Sequence, residues 1–387
     1  MGIKKKPCLE HSPGNKQRLR AANVCTMSKL FECEIEYLPN FHLMQIYAGF
    51  FELEKMGLLD LKLKRTRPRD PSVITAIINK KYKVIYDTDD GLTWIKGGDI
   101  ANLEHFQKTF THADFYFKRS FDRRMEQYRP GNCEVLPLGL NYNVHPNKSL
   151  LSYAPSLHEK IKYLAKTNTI LKKITNGKFY YARDFEYYPI NSGKNRILFL
   201  TRVWDPEKAP SEAGRELRIK LNATRTRCIE ACKKEYGHRF TGGLFMEYYA
   251  KQNYPALAMP GSFTNKSSYL QSVKEHTICI ATTGLSNSIG WKFAEYVAAS
   301  RVIISEPLNF TLPGNFEKEK NYLEFESTEQ LLSKIDYLLS HPAVMSEIMR
   351  NNFYYYNNFL RPQNLVLNTL IAIANRTENI EKNRVTK

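Results

Sequence analysis

Apolar and polar positions along this 387-residue chain change period repeatedly, and those changes delimit its elements. Residues 31–38 alternate with a period of two until Pro39 stops the run, which predicts a strand. From residue 42 to 56 the apolar positions Leu43, Ile46, Tyr47, Phe50 and Phe51 recur at helical spacing, and Gly57 ends the segment. Residues 58–63 read as strand, and Pro71 is placed to open a helix through residue 78. Residues 82–86 read as a strand running into Asp87-Thr88-Asp89-Asp90-Gly91. A helix near 103–110, a strand at 114–117, a short helix from Ser120 and a strand at 134–136 complete this alternation. Strands and helices in that order predict an α/β domain with a mostly parallel sheet.

Residues 145–190 lose the rhythm apart from one helix at 157–164, and Ile190-Asn191-Ser192-Gly193-Lys194-Asn195 is turn-forming. A second alternation follows: strand 196–201, helix 214–236, strand 239–241, then a unit spanning 277–314. A strand at 322–325, helices at 328–339 and 344–355, and a last helix opened by Pro362 through residue 374 close the pattern. The organisation predicted is a basic lead-in (1–30), a first Rossmann-like domain with its linker (31–190), a second one (191–361), and a C-terminal helix and tail (362–387). Two such domains place a cleft between the C-terminal edges of their sheets, where ligands of this class bind.

The unit at 277–314 carries the clearest chemistry. A buried-type strand, Thr277-Ile278-Cys279-Ile280-Ala281, leads into a loop of small and polar residues, then a helix from Trp291 and a second apolar strand, 301–305. In a βαβ unit the ligand lies where loop meets helix N-terminus. That junction holds Gly284, Ser286, Ser288 and Gly290, with Lys292 in the first turn and Glu295 one turn further on. Backbone N–H groups and Lys292 suit phosphate oxygens, as does Arg202 just past the strand at 196–201. An ionised Glu295 offers acceptors only, so it can take both O–H donors of a ribose cis-diol. The plainer alternative for each is a solvent-facing surface charge. On the same sheet edge, Gly242-Gly243 and Pro260-Gly261-Ser262 are turns able to approach a base.

Charge narrows the partners. Lys plus Arg number 57 against 39 Asp plus Glu, a net charge of +18, which favours an acidic partner. Basic residues gather at Lys4, Lys5, Lys6, Lys16, Arg18 and Arg20, and again at Lys62, Lys64, Arg65, Arg67 and Arg69. Aromatic residues are not interleaved with these clusters, so nucleic acid is not expected. An anionic membrane surface is a candidate partner for the second cluster. No apolar run reaches the ~20 residues a spanning helix needs, and no signal-peptide core follows the basic start. Seven cysteines without C-x-x-C spacing read as reduced thiols. The expected location is cytoplasmic, with peripheral contact at the inner face of the membrane.

The second half resembles a known family, the group-1 (glycogen-synthase-like) glycosyltransferases of GT-B fold. The resemblance lies in Phe199-Leu200-Thr201-Arg202 with Trp204-Asp205-Pro206, in Gly284 through Glu295, and in Ser305-Glu306-Pro307. Leu312-Pro313-Gly314 and Asn321-Tyr322-Leu323 continue it, and Pro137-Leu138-Gly139-Leu140-Asn141 resembles the end of that fold's first domain. It implies a nucleotide-sugar donor in the second domain and an acceptor in the first. Glu295 matches the second acid of the family's paired-glutamate motif. The first acid would fall at position 287, where this chain has Asn287. That acid lies near the donor sugar in the family, which makes Asn287 a catalytic candidate.

Asp87-Thr88-Asp89 resembles the metal–diphosphate motif of the other glycosyltransferase fold, GT-A. Its place in the first half favours the acceptor side, where Asp89 or Asp90 could be a general base, with a turn cap as the alternative. His42, after the first strand, is a further candidate base. With Arg202, Lys292 and a helix N-terminus facing the diphosphate, neither metal nor cofactor is expected, and the nucleotide-diphosphate sugar is substrate. Glu295 is expected to be a partly exposed cleft residue that matters to binding and little to stability. The function this implies is sugar transfer to a glycan or lipid-linked acceptor hydroxyl in surface polysaccharide or glycoconjugate assembly. Two alternatives stay open: a non-catalytic basic protein holding polyanion or polysaccharide, and a polyol-phosphate transferase on the same fold.

Overall fold

The computed structural model describes residues 29–66, 70–150, 160–161, 164, 179–191 and 193–385, with side chains to residue 376. Residues 1–28 of the basic lead-in, Arg67, Arg69, Ser192 and most of the helix predicted at 157–164 lie outside them.

The first sheet has six strands: β1 (Phe31–Tyr37), β2 (Leu59–Arg65), β3 (Val73–Ile78), β4 (Tyr82–Asp87), β5 (Phe115–Lys118) and β6 (Glu134–Pro137). Their order across the sheet is β2-β1-β3-β4-β5-β6. The period-two pattern of β1 buries Cys33, Ile35 and Tyr37 on one face. Only β3 runs antiparallel to its neighbours, and it corrects the helix predicted from Pro71. Val-Ile-Thr-Ala-Ile-Ile is rich in β-branched side chains, which are stiff in a helix and pack well on a pleated surface. The hairpin to β4 turns through Asn79 and Lys80, both left-handed (φ 53° and 55°).

The second sheet comprises β7 (Ile197–Thr201), β8 (Phe240–Phe245), β9 (Ala258–Met259), β10 (Ile278–Ala281), β11 (Val302–Ser305) and β12 (Leu323–Glu324). Every pair in it is parallel, in the order β12-β11-β10-β7-β8-β9. This is doubly wound order, reversing direction between β7 and β10, and ligands of such sheets sit beyond the carboxyl ends of the strands at that reversal. The four residues of β10 and of β11 are all buried, as an uninterrupted apolar strand in a parallel sheet should be. The chain thus forms two Rossmann-like domains facing across a cleft, the GT-B architecture.

Helix Pro362–Val385 leaves the second domain and returns to the first. Leu365, Val366, Leu370 and Ile373 join Ile46, Phe50 and Tyr86 in one buried cluster. Gly49 on helix Met44–Lys55 permits the contact, because an added Cβ would overlap the Pro362 carbonyl oxygen. Tyr86 and Thr369 hydroxyls meet at 2.8 Å in the same interior. No helix among the described residues is long and apolar enough to cross a membrane.

Candidate active site

A cavity of about 840 Å³ lies at the reversal point of the second sheet, closed on its far side by the C-terminal edge of the first. Its second-domain wall begins with the loop after β10, which is pinned by charged groups from neighbouring elements. Arg225, buried on helix Glu212–Tyr236, donates from Nε to Thr282 Oγ1 (3.0 Å) and from its two terminal nitrogens to the carbonyls of Arg202 and Thr283 (2.8 Å each). Burial lowers the Arg225 pKa to about 10, so it stays charged at neutral pH. Glu306, past β11, accepts from the Thr283 N–H at 2.8 Å and its hydroxyl at 3.1 Å. The loop then folds on itself, Gly284 N–H donating to the Ser288 carbonyl at 2.8 Å. A Cβ at Gly284 would lie 2.7 Å from Ser288 Oγ, so a larger residue there would have to displace that hydroxyl.

Helix Trp291–Ala298 starts at Gly290 with no side-chain cap, leaving its first N–H groups for a ligand. Lys292 Nζ is buried without a hydrogen-bond partner among the described residues. It lies 4.0 Å from the centroid of Phe245 and 4.5 Å from that of Tyr269. Burial drives its pKa well below the ordinary lysine value; Glu295 opposes the shift, while Lys266, Arg202 and Arg225 add to it. An ammonium held this way stabilises poorly until an anion arrives.

Glu295 departs from expectation. It is only 2% exposed, and Oε1 accepts from the ammonium of Lys266 at the start of helix Lys266–Glu275. Oε2 is buried without a partner among the described residues. Helix Trp291–Ala298 is buried at every position from Phe293 onward, so the face that carries Glu295 is enclosed along with the others. The carboxylate therefore belongs to the interior of the cavity and contributes to its internal charge balance.

The first-domain wall comes from the ends of β1, β4 and β5. Asp87, at the end of β4, is fully buried and accepts from Trp94 Nε1 and Lys118 Nζ at 2.9 Å each, and from the Tyr116 hydroxyl. Its carboxylate is engaged by protein donors, so the D-x-D pattern does not present two acids to the cleft. Asp89 donates its N–H to Asp87 at 2.9 Å, and burial, then the Asp87 charge, raises its pKa to about 6. Asp90 pairs with Arg119, whose other terminal nitrogen reaches across the cleft to the Ile289 carbonyl at 2.6 Å. Beside it Gly91 (φ +67°) lies against Ser286, where a Cβ would come within 2.9 Å of the serine Cβ. His42 stands edge-on to Trp291 with centroids 5.0 Å apart, and its buried Nδ1 has no partner among the described residues. Burial and Arg119 lower its pKa, with Asp90 opposing, so the imidazole is neutral at pH 7.

Of the candidates from sequence, His42, Asp90, Arg202, Gly284, Ser288, Gly290, Lys292 and Glu295 line the cavity. Asp89, Ser286 and Asn287 do not. Ser286 and Asn287 are both left-handed (φ 54°), which turns the loop away from the cavity there. Asn287 is exposed, and its carbonyl accepts from Asn309 at 3.4 Å. Arg202 is half exposed, 3.2 Å from Glu247 and stacked over Phe245. Sequence reasoning missed Lys266, Tyr269, Arg225 and Arg119. Only Arg119 carried a usable signal: like Arg202, it follows the last residue of a buried strand. The cluster Lys62, Lys64, Arg65 lies exposed on the edge strand β2, with Lys62 3.0 Å from Glu34. Lysines there blunt an open sheet edge against pairing with other chains.

No protein-family model matches the chain, and no curated protein matches it. Among solved structures the chain is similar to the C-terminal domain of a group-1 glycosyl transferase, LpcC, from Francisella tularensis. That likeness has 13% identity over 46% of this chain and 95% of that one, with TM-score 0.33. It is also similar to HepE of Anabaena in complex with UDP-glucose, at 9% identity over 89% and 100% of the two chains, TM-score 0.35. Sucrose-phosphate synthase from Thermosynechococcus elongatus is a third, at 12% identity over 92% and 97%, TM-score 0.34. At such distances the fold stands on this chain's own strand orders and cleft, and those give it the GT-B fold.

Proposed function

We propose that the protein transfers a sugar from a nucleoside-diphosphate sugar to an acceptor hydroxyl. The observation that carries this reading is a pair of buried polar atoms one helical turn apart, Lys292 Nζ and Glu295 Oε2, neither with a partner among the described residues, at the N-terminal end of a helix beyond β10. A phosphate would answer the first and a ribose hydroxyl the second. In the transfer, the bond between the anomeric carbon and the diphosphate oxygen breaks, and its electron pair leaves on the diphosphate. Lys292, Arg202 and the helix N-terminus face the charge that develops. The acceptor oxygen forms the new bond and gives up its proton; we assign the proton to neutral His42, because Asp90 is already paired with Arg119.

Calorimetric titration with UDP, GDP and ADP tests the reading directly. One of them should bind with micromolar affinity or better, and Lys292→Met should weaken it by about tenfold or more. Release of a nucleoside diphosphate from the matching nucleotide sugar then supports sugar transfer; release of a monophosphate from a nucleotide-linked polyol would point to polyol-phosphate transfer. Failure of all three nucleotides to bind would leave a non-catalytic polyanion or polysaccharide binder as the better reading.

A further inference from the structure

Formal charge in the cavity is segregated by domain. Arg202, Arg225, Lys266 and Lys292 line it from the second domain, with Glu295 as the one carboxylate among them. On the first-domain side, Asp90 and Arg119 line the cavity and are paired with each other. The guanidinium is spent a second time on the Ile289 carbonyl. Much of the remaining wall is aromatic or apolar, including Tyr37, Pro39, Phe41 and Met44 from the end of β1 onward. Phe41 is 63% exposed although it lines the cavity. Next to it His42 holds a buried Nδ1 that meets no protein partner among the described residues.

We infer that the first-domain half of the cavity takes an uncharged glycoside, with an apolar C–H face of the sugar ring against Phe41 and a hydroxyl turned to His42. This rests on the cationic wall opposite being the donor site. A phosphorylated acceptor would carry its anion into a wall whose one guanidinium among the described residues is already committed, and an anion desolvated without a free cation is strongly disfavoured. A sugar ring suits the same wall, because its C–H face buries apolar surface on an aromatic ring while its hydroxyls need only neutral partners. The basic residues of β2, which composition alone suggested for an acidic partner, do not line the cavity.

The test is saturation-transfer NMR on the full chain with its cationic wall filled by a saturating nucleoside diphosphate, whichever of UDP, GDP and ADP binds, and with methyl glucoside, galactoside, mannoside and N-acetylglucosaminide each compared with its 6-phosphate at physiological salt. At least one uncharged glycoside should receive saturation at its ring protons and bind about tenfold more tightly than its 6-phosphate. Phe41→Ala, at an exposed position that the fold does not need, should weaken that glycoside about fivefold or more. A 6-phosphate that binds as well as or better than its parent overturns the inference. So does the absence of any glycoside signal, or a signal indifferent to Phe41→Ala. Titration with UDP, GDP and ADP beforehand separates the two readings: nucleotide binding with the 6-phosphates preferred refutes only the acceptor class, whereas no nucleotide binding refutes the donor site beneath it.

Discussion

Substituting Glu295 by Gln keeps the side chain's shape and removes its charge. Two opposed effects follow from the structure. Oε2 is buried with no partner among the described residues, so in the bound state it is available to a ribose diol through charge-assisted hydrogen bonds, together worth roughly 1.5–3 kcal/mol, or about ten- to a hundredfold in affinity. The same carboxylate is the one counter-charge among Arg202, Arg225, Lys266 and Lys292 in the cavity wall. Removing it raises the potential felt by a diphosphate and offsets part of that loss. Affinity for UDP alone therefore reports a difference of two terms and is a poor assay.

The ratio between UDP and 2′-deoxy-UDP isolates the hydroxyl term, and inorganic pyrophosphate isolates the potential. Wild type should prefer UDP over its deoxy form by roughly tenfold. In Glu295→Gln the preference should fall to about one, while pyrophosphate binds at least as tightly as before. Calorimetry measures all three. Survival of the ribose preference in the variant would refute the assignment of this carboxylate to the ribose. Stability should also fall, because Lys266 loses its partner. Its side chain is 32% exposed and can turn to solvent, so the cost should be about 1–2 kcal/mol by chemical denaturation, below the ~3–5 typical of breaking a fully buried pair.

Lys292→Met should stabilise the nucleotide-free protein by about 2–4 °C in a thermal melt while weakening nucleoside diphosphate binding. The sign follows from linkage: unfolded lysine holds its proton to about pH 10, the folded one releases it lower, so between those values this group favours unfolding more as pH falls. The gain from Lys292→Met should accordingly shrink as pH rises toward about 10 and be gone above it. Asp89→Asn should stabilise by about 1 kcal/mol at pH 7 and hardly at all at pH 4, since its folded pKa, raised to about 6, makes the charged form unfavourable above that value; equal effects at both pH values would exclude the cause given. Gly49→Ala should cost at least ~2 kcal/mol of stability, because the added methyl meets the Pro362 backbone rather than a movable side chain.

Much of the fold was legible because parallel strands advertise themselves. β10 and β11 are short uninterrupted apolar runs, each bounded by polar residues, and the helix between them has one apolar face. β3 was misread because Pro71 is a local signal, whereas pairing of Val73–Ile78 with β1 and β4 is settled by residues elsewhere in the chain. Lys292, Gly290 and Glu295 could be placed at a ligand site because they share one helix start. Lys266, 29 positions from Glu295, could not, since nothing local distinguishes it from other lysines. Helix Lys266–Glu275 was itself overlooked: its apolar content is little more than Tyr269, Leu270 and Val273. The small residues of 284–290 all read as ligand-facing, and the two left-handed residues that turn Ser286 and Asn287 away leave no mark in composition.

The return of helix Pro362–Val385 to the first domain also fixes an order of events during synthesis. Ile46, Phe50 and Tyr86 emerge from the ribosome early, yet the cluster that buries them is incomplete without Leu365, Val366, Leu370 and Ile373. At roughly 5–20 residues per second, the half-built first domain waits on the order of tens of seconds with that apolar face uncovered. The second domain's own clusters draw on residues up to Leu360, so both cores close only as the last helices emerge. The interval in which this chain is most exposed to aggregation and to chaperones therefore falls while its later half is still being made.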